Sequence, residues 1–180
     1  GSMTETIGYA IDWVNKNEYK GLVISGDGSN FCAGANLNLI LEAAQQKNFA
    51  AIEKLTNSLQ QVFQAMKYSD FPVVAAPYGL VLGGGMEIIG GCNKRVCAAE
   101  SYIGLVEVGV GLIPGAGGNL RLLSNLSKKI KTSMPGAMPI VQKAFETIGF
   151  AKVGTSAKQS QAYGYLTSDD KIVIAKDVYK

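Results

Sequence analysis

The chain has 180 residues, of which 47% are hydrophobic and 17% charged, so it is long enough for one globular domain with a sizeable core. Its formal net charge is +3, and the lysines are scattered apart from one cluster at residues 128–131. That distribution provides no extended basic face for nucleic acid. No apolar run approaches the roughly 18 residues of a membrane helix, so we expect no membrane span.

The sequence contains no histidine, which excludes an imidazole base or metal ligand within the chain. Any acid or base that works near neutral pH must therefore be a carboxylate, Lys, Tyr or Cys with a shifted pKa. The three cysteines, Cys32, Cys92 and Cys97, match no zinc spacing and follow no secretory signal. We expect reduced core thiols, no bound metal and a cytoplasmic location.

The beginning of the chain is unusual for a domain with a sheet. Residues 1–3 read as a cloning remnant, and residues 4–180 as one domain. Apolar residues recur at helical spacing from Ile7 to Val14 and lead into GLVISG at 21–26, which predicts a helix followed by a short buried strand. Because α/β sheets usually begin with a strand, we expect that a preceding strand has been removed from a longer parent chain. A domain that simply begins with a helix is the alternative.

The remaining elements alternate between buried strands and helices. An amphipathic helix is predicted from Phe49 to Tyr68, and PVVAAPYG reads as a strand buried on both faces. This alternation predicts α/β layers with right-handed crossovers. Further predicted elements are a short helix containing Glu87, a strand at 95–99, helices at 117–123, 138–152 and 156–163, and a loop at 128–139.

Three turns between strands and helices are rich in glycine: GDGSNFCAGAN, GLVLGGGMEI and GLIPGAGGN. None contains the GxxxxGK[ST], GxGxxG or GxSxG pattern, which argues against nucleotide binding and serine hydrolysis. Glycine-rich turns at helix starts can instead form an oxyanion hole from backbone N–H groups. The alternative is that these glycines only allow close packing between strand and helix.

Two carboxylates follow these turns in apolar surroundings. Glu87 comes directly after GGGM, and Glu107 lies in GLVEVGVG. Burial would raise the pKa of each carboxyl toward the range that is useful for proton transfer, so that one could act as base and the other as acid. The alternative for each is an exposed helix or loop residue.

Three segments together resemble the enoyl-CoA hydratase, or crotonase, superfamily: residues 21–37, 72–99 and 102–122. The resemblance implies the ClpP/crotonase fold, an α/β spiral of repeated ββα units, here truncated at its N-terminus. It also implies an acyl-CoA thioester as substrate and a stabilised thioester enolate as intermediate. No cofactor is implied for this domain.

The resemblance carries specific roles onto five residues. The backbone N–H groups of Ala35 and Gly84 would form the oxyanion hole. Glu87 would activate the water that adds to C3 of a 2-enoyl-CoA, with the Gly115 N–H helping to hold that water, and Glu107 would exchange the proton at C2. Family members that only isomerise double bonds often keep one of the two carboxylates, so the pair favours hydration.

The sequence departs from the family pattern at three points. The family's AGAD is AGAN here, at Asn36, and Asn30 stands close to where a basic residue for the CoA phosphates would be sought. The family's first strand and helix have no counterpart before residue 4. We therefore expect the 180-residue chain to bind acyl-CoA weakly and to turn over poorly.

The C-terminal region, residues 144–177, resembles the hydratase-type part of bacterial multifunctional 3-hydroxyacyl-CoA dehydrogenases of fatty-acid β-oxidation. In such a parent, NAD would bind a separate dehydrogenase domain, since no Rossmann fingerprint is present here. A homo-oligomer is also implied. Enoyl-CoA isomerase and a non-catalytic domain that binds acyl-CoA and scaffolds its neighbours are the alternative functions.

Overall fold

The computed structural model describes residues 3–128 and 136–174. The seven helices of this part are α1 (Met3–Lys16), α2 (Leu37–Gln45), α3 (Phe49–Lys67), α4 (Gly84–Gly91), α5 (Gly118–Ser127), α6 (Met138–Gly149) and α7 (Ala157–Tyr163). The strands are β1 (Leu22–Ile24), β2 (Val73–Ala75), β3 (Leu80–Leu82), β4 (Lys94–Ala98), β5 (Tyr102–Gly104), β6 (Val153–Gly154) and β7 (Lys171–Val173). A short 3-10 helix, Glu107–Val110, follows β5.

The strands form two sheets. The first has the order β1-β2-β4-β7, and all its neighbours are parallel. The second has the order β3-β5-β6, in which β3 and β5 are parallel and β6 is antiparallel to β5. Cys32 adds an isolated parallel bridge to Val81 of β3.

Successive strands enter the two sheets in turn. β2 lies in the first sheet and β3 in the second, and α4 follows; β4 and β5 repeat this arrangement before α5. The spiral of ββα units expected from the sequence is therefore present. Because Cys32, β3 and β5 run parallel side by side, the turns that follow them meet at one edge of the second sheet.

The core is centred on α4, where seven of the eight residues are buried. Its apolar side chains pack between α3 and α5 together with Phe63, Met66, Leu122 and Leu126. A helix that is apolar on all sides is expected only inside a protein. Consequently α4 is fixed by its surroundings, and so is any polar group that it carries.

The sequence predicted the long elements well and the short strands poorly. The predictions for α1, α3, α4 and the three C-terminal helices are confirmed, as are strands β1, β2 and β4. The sequence pattern did not predict α2, β3, β5, β6 and β7. Each of these four strands has only two or three residues, too few to show an alternating pattern.

The prediction that β1 is a buried strand is wrong for Val23. It is 68% exposed between the partly buried Leu22 and Ile24, because successive side chains of a strand point to opposite faces of the sheet. The predicted loop at 128–139 falls mostly on residues 129–135, and the predicted cloning remnant partly on residues 1 and 2, all outside the described residues. Met3, which we assigned to that remnant, is the first residue of α1.

Among residues 3–128 and 136–174, no helix combines the length and the apolar character that crossing a membrane requires.

A buried ion pair joins β4 to the turn before β7. Arg95 Nη2 donates to Asp170 Oδ2 at 2.7 Å, and the backbone N–H of Arg95 donates to Asp170 Oδ1 at 3.1 Å. Asp170 Oδ2 also accepts from the backbone N–H of Thr167 at 2.7 Å. Both charged side chains are almost completely buried, so each depends on the other for compensation.

We expect Asp170→Ala to lower the free energy of unfolding by about 3–5 kcal/mol, because it leaves the Arg95 guanidinium buried without its counter-charge. The matched control is Asp169→Ala, which removes an exposed pair with Lys94 at 3.9 Å and should cost less than about 1 kcal/mol. Urea unfolding of both variants measures the difference. Equal losses would contradict this account of β4 and β7.

Candidate active site

One cavity of about 280 Å³ lies where the turns after Cys32, β3 and β5 meet. Its wall is mainly apolar and comes from α2, α3 and the segment 106–116. Glu87 and Glu107 provide the only carboxyl groups among the described residues that line it. All five residues that the sequence assigned to the site, Ala35, Gly84, Glu87, Glu107 and Gly115, line this cavity.

The three consecutive glycines that precede Glu87 have different structural roles. Gly83 adopts a left-handed backbone with φ of +53°, which favours glycine, and starts the turn into α4. A Cβ at Gly85 would collide with the carbonyl oxygen of Cys32. The run GGG therefore lets α4 begin directly against the neighbouring turn, with Gly84 between these two constrained positions.

Two backbone N–H groups at this junction have no acceptor among the described residues. They belong to Ala35 and to Gly84, the first residue of α4. A Cβ built on Gly84 would lie only 3.9 Å from the nitrogen of Ala35, so the two residues are close neighbours. Paired free donors at a helix N-terminus suit an oxygen that acquires negative charge.

The Glu87 carboxylate is held by the start of the next helix. Its Oε1 accepts hydrogen bonds from the N–H groups of Ala116 at 2.8 Å and Gly118 at 2.9 Å. A Cβ at Gly118 would lie 3.1 Å from that oxygen and closer still to Leu105, so only glycine allows this approach. Oε2 accepts no hydrogen bond from the described residues and remains available to a group in the cavity.

The side chain of Glu87 is 95% buried, as its 5% exposure shows. This burial raises the pKa of Glu87 from 4.5 to about 7, against the opposing effect of the two N–H donors and with a smaller contribution from the nearby Glu107. The carboxyl group is therefore poised between its two protonation states near neutral pH, which suits proton transfer.

Glu107 begins the 3-10 helix after β5 and faces the same cavity. Its Oε2 is buried and has no hydrogen-bond partner among the described residues, and its Oε1 lies beside Gly83. Burial raises the pKa of Glu107 as well. A buried carboxylate oxygen without a partner is costly when ionised, which favours the protonated acid.

Gly115 lies on the loop that supplies the donors to Glu87. Its carbonyl oxygen accepts from Gln60 Nε2 of α3 at 2.6 Å, and the methyl group of Thr56 packs beside it. Thus α3 holds the loop that in turn holds Glu87. The role expected for the Gly115 N–H, to position a water molecule, stays a prediction.

The residues that support the site were not predicted from the sequence. Ala116, Gly118 and Gln60 were not singled out, although the GAGG run at the start of α5 signalled free N–H groups at a helix N-terminus. The contact from Gln60 to Gly115 joins residues 55 positions apart in the sequence, and no local pattern announces it.

The two asparagines that depart from the family pattern have local structural roles. Asn36 caps α2, since its Oδ1 accepts from the N–H of Asn38 at 3.1 Å. Asn30 Oδ1 accepts from the N–H of Leu80 at 2.8 Å and so ties the first glycine-rich turn to β3.

A family model described as enoyl-CoA hydratase/isomerase matches residues 2–141. The chain belongs to this family. This enoyl-CoA hydratase/isomerase domain is 44% identical over 162 residues to the "Probable 3-hydroxyacyl-CoA dehydrogenase" of Bacillus subtilis (strain 168), covering 90% of the chain and 20% of that relative. It is 38% identical over 126 residues to the "Fatty acid oxidation complex subunit alpha" of Aliivibrio fischeri, covering 67% and 18%.

A crystal structure of an enoyl-CoA hydratase from Bacillus anthracis superposes on the domain with a TM-score of 0.74 at 26% identity, covering 95% of the chain and 59% of that protein. The mixed α/β, crotonase-like fold expected from the sequence is thereby confirmed. The chain spans about one fifth of the length of the curated relatives described above.

The raised pKa of Glu87 predicts a pH dependence of stability. Between pH 4.5 and about 7 the unfolded chain ionises this carboxyl group while the folded chain keeps it protonated, so the free energy of unfolding falls as the pH rises. Glu87→Gln keeps the acceptor oxygen and removes this titration. We expect the variant to gain about 2–3 kcal/mol over the natural chain between pH 4.5 and 8. Urea unfolding across that range tests it, and a constant difference would contradict the burial argument.

The hydrogen bond from Gln60 to the Gly115 carbonyl oxygen anchors the loop that holds Glu87. Gln60→Ala should speed hydrogen exchange at the amides of Ala116 and Gly118 by about two- to tenfold, because one net hydrogen bond that anchors their loop is lost. Gln61→Ala is the control, since Gln61 is exposed and donates no hydrogen bond to that loop. Unchanged exchange in Gln60→Ala would show that α3 does not hold the loop.

Proposed function

We propose that this domain adds water to 2-enoyl-CoA thioesters. The observation that carries the proposal is the meeting, in one apolar cavity, of the buried Glu87 carboxyl group, the partly buried Glu107 carboxyl group and two backbone N–H groups without acceptors among the described residues. The N–H groups of Ala35 and Gly84 would bind the thioester oxygen, which becomes negative as an enolate forms. Loss of one such donor typically costs about 10²–10³-fold in rate.

The two carboxyl groups divide the proton transfers. The ionised form of Glu87, held through Oε1, would take a proton from water through Oε2 while the water oxygen bonds to C3. Glu107, protonated, would give a proton to C2 as the enolate collapses to the thioester. The sum is one water added across the double bond, and proton exchange between the carboxyl groups and solvent restores the starting state.

The wider setting is also a proposal. The names of the relatives support a parent protein of fatty-acid oxidation in which a separate NAD-dependent dehydrogenase domain oxidises the 3-hydroxyacyl-CoA product. The hydratase domain itself would need no cofactor, because its carboxyl groups supply the proton transfers.

The three free thiols favour a reducing location such as the cytoplasm. The exposed apolar side chains of Phe145 and Phe150 favour association with further copies of the chain.

Glu87→Gln and Glu107→Gln should each lower kcat for hydration of a 2-enoyl-CoA by at least about 10², because each removes one general acid or base. Glu100→Gln, an exposed carboxylate outside the cavity, is the control and should leave the rate unchanged. The assay uses the natural polypeptide that contains this sequence, with the 180-residue chain in parallel.

Other outcomes of this assay favour the alternatives. Isomerisation of 3-enoyl-CoA without hydration of 2-enoyl-CoA, with only one glutamate required, would support an isomerase. Hydration rates unaffected by both glutamate substitutions would support a non-catalytic domain that binds acyl-CoA.

A further inference from the structure

A second cavity, of about 370 Å³, lies at the other end of α4. It is lined by residues at the C-terminal ends of α3 and α4, by one side of α5, and by the turn before β7. It shares no lining residue with the active-site cavity. With eight residues, α4 separates the two cavities by about 12 Å along its axis.

Five cationic side chains line this polar cavity, against two carboxylates: Lys67, Lys94, Arg95, Arg121 and Lys128, with Asp169 and Asp170. Both carboxylates already have partners, since Asp170 pairs with Arg95 at 2.7 Å and Asp169 with Lys94 at 3.9 Å. Among the described residues, no carboxylate lies within salt-bridge distance of the other three cations. The cavity therefore has an excess of three positive charges.

Lys67 shows that this cluster is more than a solvated surface. Its side chain is partly buried, and its Nζ makes one long hydrogen bond, to the carbonyl oxygen of Cys92 at 3.5 Å. Burial lowers the pKa of Lys67, and the neighbouring charges of Arg95, Arg121 and Lys128 lower it further. The proximity of these cations therefore destabilises the folded chain.

Capping of helix C-termini explains only part of the cluster. Lys67 and Arg95 both donate to the carbonyl oxygen of Cys92 at the end of α4, and Lys128 lies at the end of α5, where the helix dipole favours cations. Arg121 is different, because it lies in the first turn of α5, where the dipole disfavours a cation. Its stem crosses Gly90, where a Cβ would lie 3.2 Å from Arg121 Cγ.

We propose that the cavity lined by Lys67, Arg121 and Lys128 binds a phosphate group, either as inorganic phosphate or as a phosphomonoester. The planar guanidinium can engage two phosphate oxygens at once, and the two ammonium groups provide the remaining charge. Bound phosphate would offset the repulsion among the three cations and supply Arg121 with the acceptor that the described residues do not provide.

The test is calorimetric titration of the 180-residue chain with inorganic phosphate and with adenosine 3′,5′-bisphosphate, at constant ionic strength set with sodium chloride. We expect saturable binding of at least one of the two, weakened at least tenfold by Arg121→Gln and by Lys67→Met. Binding of phosphate itself indicates a free anion site, and binding of the bisphosphate alone indicates a phosphomonoester site. Lys54→Gln, an exposed cation of α3 outside the cavity, is the control and should not change the affinity.

A second readout separates this site from nonspecific attraction and from the active-site cavity. The pKa of Lys67, followed by NMR of its side-chain carbon, should rise when phosphate binds. Gly90→Ala should weaken phosphate binding, because the added methyl group displaces Arg121, and should leave the circular dichroism spectrum unchanged. The proposal is overturned if neither probe binds more tightly than chloride, or if Arg121→Gln and Lys54→Gln bind equally well.

Discussion

The site depends on the two hydrogen bonds that Glu87 Oε1 accepts from the N–H groups of Ala116 and Gly118. They join α4, which is buried on all sides, to the first turn of α5, and they provide the stabilisation that a carboxylate in this core lacks from water. The bonds lower the cost of the ionised form without removing it, because the pKa still rises to about 7. A carboxyl group in this balance can both lose and regain a proton near neutral pH.

Topology explains why the other groups of the site are near this contact. Parallel pairing of β3 with β5, and of Cys32 with Val81, places three successive turns at one edge of a sheet. One turn supplies the Ala35 N–H, the next the Gly84 N–H, and the third Glu107 and the loop around Gly115. Each ββα unit therefore contributes one part of the cavity, and the glycines allow these backbones to approach each other.

The sequence predicted those elements and site residues that a local pattern of residues is enough to identify. The amphipathic spacing in α3 and the apolar run of β2 identified those elements, and the isolated carboxylates in apolar segments pointed to Glu87 and Glu107. The strands of two or three residues were not predictable, because their pairing depends on neighbours far along the chain. The same reason hid the donors to Glu87, the support from Gln60 and the convergence of Lys67 with Arg121, all of which join residues from different ββα units.

The central claim, that this cavity directs water to a 2-enoyl thioester, is tested most directly by following 2-enoyl-CoA in D₂O by NMR with the natural polypeptide that contains this sequence. The account predicts a 3-hydroxyacyl-CoA that carries one deuterium at C2, because Glu107 exchanges its proton with solvent before giving it to carbon. Deuterium incorporation with a shifted double bond and no hydroxyl group at C3, or recovery of unchanged 2-enoyl-CoA, would contradict it.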